Sequence, residues 1–136
     1  MQLRQARVLG LANVETIRWA RLKTTVHVPL RRGAWYRVAL VSRLEVVLSV
    51  EGAPVTVPRP YVEIRVTPPR DWTVLRNPVV SARTPEVFRR GYIVCPGCRT
   101  RVVLPATQLA KQLCPRCSQT FPIAWDEHYL EESPVL

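Results

Sequence analysis

Apolar and polar residues alternate through most of residues 24–67, with the period of two that half-buried β-strands require. The turn sequences Arg31-Arg32-Gly33, Glu51-Gly52 and Pro58-Arg59-Pro60 interrupt this alternation. Five short strands are therefore predicted, and their apolar positions are Val26, Val28 and Leu30; residues 35–41; Val46, Leu48 and Val50; Val55 and Val57; and Val62, Ile64 and Val66. The pattern predicts a mainly β fold in which short strands form a small barrel.

The first 22 residues fit two patterns. Leu11, Val14, Ile17 and Leu22 are spaced as on one face of a helix, whereas Ile17 and Trp19 alternate with polar neighbours as on a strand. Because the sequence that follows is rich in β-branched residues, we favour a strand and a hairpin in this region.

Residues 57–64 read VPRPYVEI. A proline, a short 3₁₀ turn, a tyrosine and a closing strand in this order resemble the SH3-like fold, and the resemblance covers residues 24–67. It implies an SH3-like β-barrel, a fold that hosts nucleic-acid binding and assembly contacts among many functions. Peptide-binding members carry an acidic first loop and a tryptophan pair at the start of the third strand, but this chain reads RLKT at residues 21–24 and RLE at residues 43–45. These departures argue against a groove for proline-rich peptides.

The rest of the chain divides by composition. Residues 68–91 are rich in proline and arginine and predict a linker that packs in part, with residues 72–75 able to add a strand or to cover the barrel mouth. Residues 126–136 are acidic and predict a solvated tail. The expected organisation is a basic β-rich domain over residues 1–67, the linker, a metal-stapled module over residues 92–125, and the tail.

All four cysteines lie in two C-x₂-C pairs, Cys95 with Cys98 and Cys114 with Cys117. Two thiolates three positions apart in a tight turn can point at one metal ion, and a proline follows the first cysteine of each pair. The doubled spacing is typical of a tetrahedral Cys₄ zinc site. Two disulfides, a thioredoxin-type dithiol and a rubredoxin-like iron site stay open as alternatives. Four thiolates leave no coordination position for water or substrate, so one structural Zn²⁺ is expected rather than a catalytic one.

The sequence between the pairs predicts a strand at residues 101–104, a loop or single helical turn at 107–113, and a strand at 121–125. The pattern Tyr92-x-x-Cys-Pro-x-Cys, followed by Cys-Pro-x-Cys-x-x-x-Phe121, resembles a short bacterial zinc-ribbon family that is often fused to unrelated domains. Arg99 and Ser118 replace the glycine that often follows each pair, which questions the left-handed backbone there. We expect Cys114→Ser to unfold this ribbon and to leave the barrel folded.

The charge of the chain is unevenly distributed. Twenty basic and ten acidic residues give a formal net charge of +10 over 136 residues. Residues 1–94 hold 16 basic and 6 acidic residues, whereas residues 95–136 hold four of each. The whole excess therefore lies on the part without cysteines, which favours a polyanionic partner for that part. An ordinary solvated basic face is the alternative.

Several side chains of the basic part are candidates for contact with nucleic acid. The phosphate-contacting candidates are Arg31, Arg32, Arg37, Arg43, Arg59 and Arg65. Trp35, Tyr36, Tyr61 and Trp72 could stack on bases, although core packing is the stronger expectation for each of them. His27 and His128 lack the neighbours of a catalytic triad, so we do not expect an enzyme or a small-molecule substrate.

These observations favour a non-enzymatic protein associated with RNA or DNA. The alternative is an adaptor or accessory subunit that contacts a larger acidic protein assembly through the barrel, the linker and residues 129–136. An electron-transfer protein with iron at the cysteines is a third hypothesis. No signal peptide or apolar span is visible, and the cysteines are in metal spacing, so the sequence predicts a cytoplasmic location without membrane association.

Overall fold

The computed structural model describes residues 16–131, and the predictions for residues 1–15 and 132–136 lie outside the described residues. Within this range the chain forms ten strands in three antiparallel sheets, with two 3₁₀ turns. The strands are β1 (Trp19–Leu22), β2 (Tyr36–Val41), β3 (Glu45–Val50), β4 (Ala53–Pro58), β5 (Val62–Arg65), β6 (Thr73–Leu75), β7 (Tyr92–Val94), β8 (Arg101–Val103), β9 (Lys111–Leu113) and β10 (Thr120–Pro122). The predicted mainly β class is confirmed. No helix in residues 16–131 is long and apolar enough to cross a bilayer.

The first sheet has the strand order β4-β3-β2-β1-β5. Glu51 and Gly52 join β3 to β4 with φ angles of 50° and 83°, so the predicted tight turn is present with two left-handed residues, as two-residue hairpins require. The predicted 3₁₀ turn is also present, at Arg59–Tyr61 between β4 and β5. Because β4 and β5 are the two edges of the hydrogen-bonded sheet, closure into an SH3-like barrel stays a prediction.

The strand predicted at Val26, Val28 and Leu30 is wrong, and β1 takes its place in the sheet. Residues 23–35 form an irregular loop, in which the Leu30 N–H donates to the Val28 carbonyl. Leu30 is buried, and the two valines pack against the same core. The alternating valines and Leu30 are therefore loop residues whose side chains turn into the core. Pro29 has no N–H to donate to a neighbouring strand, which disfavours a strand at this position.

The remaining strands build the cysteine-containing part. β6, β7 and β8 form one sheet, and β9 and β10 form another. Residues 72–75 thus add a strand, as the sequence allowed, and this strand pairs with β7. The predicted strand at 101–104 is observed as β8. The loop or helical turn predicted over 107–113 is wrong at its end, because β9 pairs there with β10.

The two faces of the sheet that contains β6 and β7 pack into two different hydrophobic cores. Leu75, Tyr92 and Val94 pack into the core of the five-stranded sheet, which we call the sheet core. Val74 and Ile93 point the other way, into a core that includes Cys95, Cys114, Trp72 and Ile123 and that we call the metal core. Alternate strand residues face opposite sides, so a single short sheet connects the two parts of the chain.

The acidic segment that follows residue 125 is not simply solvated over its described part. Tyr129 is buried, its hydroxyl donates to the Leu22 carbonyl, and it accepts a hydrogen bond of 3.0 Å from the Gly33 N–H. Glu127 pairs with Arg21, whose side chain is only 3% exposed. A buried aromatic anchor and a buried arginine that needs a carboxylate hold this segment against the sheet core.

Candidate metal centre and arginine cleft

Each C-x₂-C pair lies in a tight turn between two strands. Cys95 follows β7 and Cys114 follows β9, and both turns have the same backbone hydrogen bonds. The Cys95 N–H donates to Thr100 O (2.9 Å), and the Cys114 N–H donates to Gln119 O (2.8 Å). Arg99 and Ser118 have φ angles of 65° and 62°. The left-handed backbone that the sequence put in question is therefore present at both positions, although neither residue is glycine. Its steric cost is offset by the hydrogen bonds of the turns.

The two turns bring the four sulfur atoms together. All four Sγ atoms lie within 4.8 Å of one another. Cys95 Sγ is 3.7 Å from Cys117 Sγ, and Cys98 Sγ is 3.5 Å from Cys114 Sγ. Metal–sulfur bonds of about 2.3 Å in a tetrahedron place the sulfurs about 3.8 Å apart, whereas a disulfide needs about 2.05 Å. The cluster can therefore hold one metal ion, and its cysteines are free thiols rather than disulfides.

The cysteine environments differ in how readily they yield a thiolate. Burial raises the pKa of the Cys95 thiol. Burial also pushes the pKa of Cys114 upward, but the backbone N–H groups of Cys117 and Arg116, which donate to its sulfur at 3.5 and 3.4 Å, bring that pKa down to about 7. Metal ligation requires thiolates, and these two N–H groups favour the thiolate form of Cys114.

Trp72, from the predicted linker, supports the metal core. Its ring is fully buried, and its indole N–H donates to the Gln112 carbonyl at 3.0 Å. Its backbone N–H donates to Pro122 O at 2.8 Å, and its carbonyl accepts from Ala124 N–H at 3.1 Å. The tryptophan is thus packed beneath the cysteines, and it is not available to stack on a base.

The six arginines predicted to contact nucleic acid do not form one surface. Arg31 and Arg32 line a cleft beside the first cysteine turn, whereas Arg43 and Arg59 line a separate groove with Lys23. The remaining two lie apart from both: Arg37 is exposed on β2, and the Arg65 guanidinium is 4.4 Å from the Trp35 ring centroid, at a third surface.

The first of these clefts gathers arginines from distant parts of the chain. It has a volume of about 580 Å³ and lies between the loop of residues 26–32, residues 81–84 and the two cysteine turns. Of the residues that the structure describes, Glu51 is the only acidic one that lines it. We call it the arginine cleft, and its arginines are Arg31, Arg32, Arg83, Arg99, Arg101 and Arg116.

None of the six cleft arginines forms an ion pair with a carboxylate in residues 16–131. The arginines that do form such pairs are Arg21, Arg76 and Arg89, all outside the cleft. In the C-terminal part, Glu127 forms an ion pair with Arg21, and Glu131 forms one with Arg76. The neutral net charge of residues 95–136 therefore hides an uneven distribution, with Arg99, Arg101 and Arg116 in the cleft and Glu127 and Glu131 outside it.

Four of the six cleft arginines were missed from the sequence. Arg99, Arg101 and Arg116 lie outside residues 1–94, where the charge count placed the binding surface, and Arg83 lies in the segment predicted to be a linker. The positions of Arg99 and Arg116 beside the cysteines could have predicted part of the cleft from the sequence. Both belong to the cysteine turns, whose geometry the spacing fixes, so their side chains had to share one end of the metal module.

No protein-family model, curated protein or solved structure matches the chain. The metal centre and the cleft therefore rest on the residues and their geometry alone.

Proposed function

We propose that this chain is a non-enzymatic nucleic-acid-associated protein whose arginine cleft contacts phosphate groups. The observation that carries the proposal is the convergence of six arginines on one concave surface where, among residues 16–131, none of them is ion-paired and a single carboxylate is present. Clefts lined by one sign of charge focus the field and attract ions of the opposite sign. Guanidinium groups match phosphate oxygens with two parallel hydrogen bonds.

The metal in this proposal is one structural Zn²⁺, held by all four cysteines. The sulfur spacing and the Cys₄ donor set support zinc, although thiolates alone also accept iron. With the sulfurs filling a tetrahedron, the ion contributes folding energy and no reaction chemistry. Metal analysis and a visible spectrum of the purified protein test this point. One zinc per chain in a colourless sample supports it, and a coloured, iron-containing sample supports the electron-transfer alternative.

The proposed fold assignment is an SH3-like domain followed by a zinc ribbon. The strand order β4-β3-β2-β1-β5 and the 3₁₀ turn before β5 support the first part, and the paired cysteine turns support the second. Free thiols in a metal site persist in reducing compartments, which supports a cytoplasmic location.

Binding to short RNA and DNA fragments across a salt series tests the proposed function. Log K should fall linearly against log salt, by about 0.7 per neutralised phosphate for single strands and about 0.9 for duplex DNA. Absence of binding to every fragment at low salt would overturn the proposal. Affinity that does not depend on salt would overturn it as well.

A protein–protein adaptor is the second candidate, and exposed apolar side chains at the end of the β2–β3 hairpin favour it. Leu40 and Leu44 are 63% and 77% exposed, and phosphate binding gives them no role. Tyr129, which the sequence offered as part of a partner-binding tail, is buried and unavailable. Capture of partners from native lysate with and without nuclease separates the two candidates, because only a protein partner survives nuclease treatment.

A further inference from the structure

We infer that the arginine cleft recognises a multiply charged terminal phosphate group, as found at the 5′ end of a phosphorylated nucleic acid. The inference rests on the proposed function and deepens it, because it names the part of the nucleic acid that enters the cleft. The chemistry that it requires is a phosphate monoester or a short phosphate chain, rather than the diester backbone.

Shape is the first observation. The cleft is a single cavity of about 580 Å³, within the range of about 300–1,000 Å³ that is usual for small-ligand sites. Specific duplex recognition instead spreads over about 1,000–2,500 Å² of protein surface. In the described residues, Arg43 and Arg59 lie in a different groove. The cleft arginines therefore do not continue toward them as a row that could follow a nucleic-acid backbone.

Charge is the second observation. Among the described residues, six arginines and one glutamate line the cleft. A backbone phosphodiester carries one negative charge, and successive diesters are spread along the strand. A terminal monoester carries about 1.5 to 2 negative charges on a single group, with three acceptor oxygens, and a longer terminal phosphate chain adds to this. Only a ligand of that kind concentrates enough charge at one point to balance the cleft.

The third observation is an unsatisfied donor. The Nε of Arg32 is buried and has no hydrogen-bond partner, and it is the only side-chain nitrogen or oxygen atom in residues 16–131 of which this is true. Arg32 lines the cleft and also a neighbouring cavity that Arg76 and Tyr129 line. A buried donor without an acceptor is costly. Because this Nε is inaccessible to solvent, a phosphate oxygen would supply the acceptor only if the Arg32 side chain turned into the cleft on binding.

The fourth observation argues against base recognition in the cleft. Its aromatic residues, Tyr36 and Tyr92, are buried. Arg99 lies 5.1 Å from the Tyr36 ring centroid, and Arg101 lies 5.6 Å from that of Tyr92. Sites that bind single strands through stacking need open ring faces. Here guanidinium groups cover the rings, so phosphate is the part of the nucleic acid that the cleft can read.

Three RNA decamers of one sequence, labelled at the 3′ end, test the inference with the zinc-loaded full chain. They carry a 5′-triphosphate, a 5′-monophosphate or a 5′-hydroxyl, and fluorescence anisotropy gives each Kd at one salt concentration. We expect affinity to fall in that order, with at least a tenfold difference between the first and the last. The double variant R99Q/R116Q should remove the preference. R43Q/R59Q, which loses the same charge in the other groove, should keep it.

The outcomes separate this inference from the proposed function. Equal, salt-dependent affinity for the three RNAs overturns end recognition and leaves nucleic-acid binding standing. Absence of binding to all three overturns both. Inorganic tripolyphosphate serves as competitor to identify the source of the phosphate. If its Kd equals that of the triphosphate RNA, the cleft binds free phosphate chains, and the inferred nucleic-acid end is wrong.

Discussion

Removal of the metal should unfold the five-stranded sheet together with the ribbon. The sequence alone predicted the opposite for Cys114→Ser, with the ribbon lost and the barrel intact, because it treated the two parts as separate modules. The structure changes the expectation, since β6 and β7 belong to the three-stranded sheet β6-β7-β8, which we call the ribbon sheet, but place Leu75, Tyr92 and Val94 in the sheet core.

The size of the effect follows from those three side chains. Full burial of each contributes about 1.5–3 kcal/mol, so loss of the ribbon sheet withdraws about 5–9 kcal/mol from the sheet core. An ordinary domain is stable by only about 5–15 kcal/mol in total. Structural zinc in small modules contributes about 10–16 kcal/mol at neutral pH, which explains why the ribbon sheet would not persist without it. The sheet core should therefore not survive loss of the metal.

NMR spectra of the zinc-loaded protein, recorded before and after a chelator, measure this coupling. Methyl signals of Val46 and Leu48 report on β3 in the sheet core, and the Ile93 signal reports on β7 in the metal core. All three should lose dispersion together and recover when zinc is restored. Cys114→Ser should lose the same three signals without a chelator. Ser118→Ala, which keeps every ligand, is the control for that variant and should retain all three signals. Persistence of the β3 signals after the Ile93 signal collapses would refute the coupling.

Three further predictions concern the contacts that join the C-terminal segment and the loop to the core. Tyr129→Phe leaves the Leu22 carbonyl and the Gly33 N–H without their partner, so urea unfolding should show a loss of about 2–4 kcal/mol; an unchanged midpoint would mean that the segment does not anchor the fold. Burial raises the pKa of the Tyr129 hydroxyl, so its stabilisation is present below about pH 10, the usual pKa of tyrosine, and declines as the pH rises toward the raised folded-state pKa. The loss of stability above pH 10 in a pH series of melts should accordingly be smaller in Tyr129→Phe than in the wild type, and identical slopes would contradict the assignment. Gly33 and Gly52 have similar φ angles of 85° and 83°, but an added Cβ meets Leu75 Cδ1 at 2.8 Å only at Gly33; Gly33→Ala should therefore cost about 1–3 kcal/mol more than Gly52→Ala, and equal costs would show that the loop does not pack on the ribbon sheet.

Features set by local chemistry were predictable from the sequence. The Glu51-Gly52 turn needs two left-handed residues, and the 3₁₀ turn at Arg59–Tyr61 follows from its prolines. The metal centre was predictable because ligand spacing in a tight turn fixes where the sulfurs point. In each case, a few neighbouring residues determine the geometry.

Features that depend on distant contacts were not predictable. The alternation of Val26 and Val28 has the period of a strand, but these valines belong to a loop that packs on a core supplied in part by the ribbon sheet. Tyr129 looked like part of a solvated tail because its hydrogen-bond partners lie about a hundred positions away. The arginine cleft was missed for the same reason, since a charge count along the chain does not show that the Arg31 side chain donates a hydrogen bond to the Arg99 carbonyl.

The most direct test of the account is the salt dependence of nucleic-acid binding in two charge-matched double variants. R99Q/R116Q removes two arginines from the cleft, and R43Q/R59Q removes two from the other groove. Each lost phosphate contact lowers the steepness of log K against log salt by about 0.7–0.9. The account predicts a slope shallower by about 1.4–1.8 for R99Q/R116Q and an unchanged slope for R43Q/R59Q. A shallower slope for R43Q/R59Q, with R99Q/R116Q behaving as wild type, would contradict it.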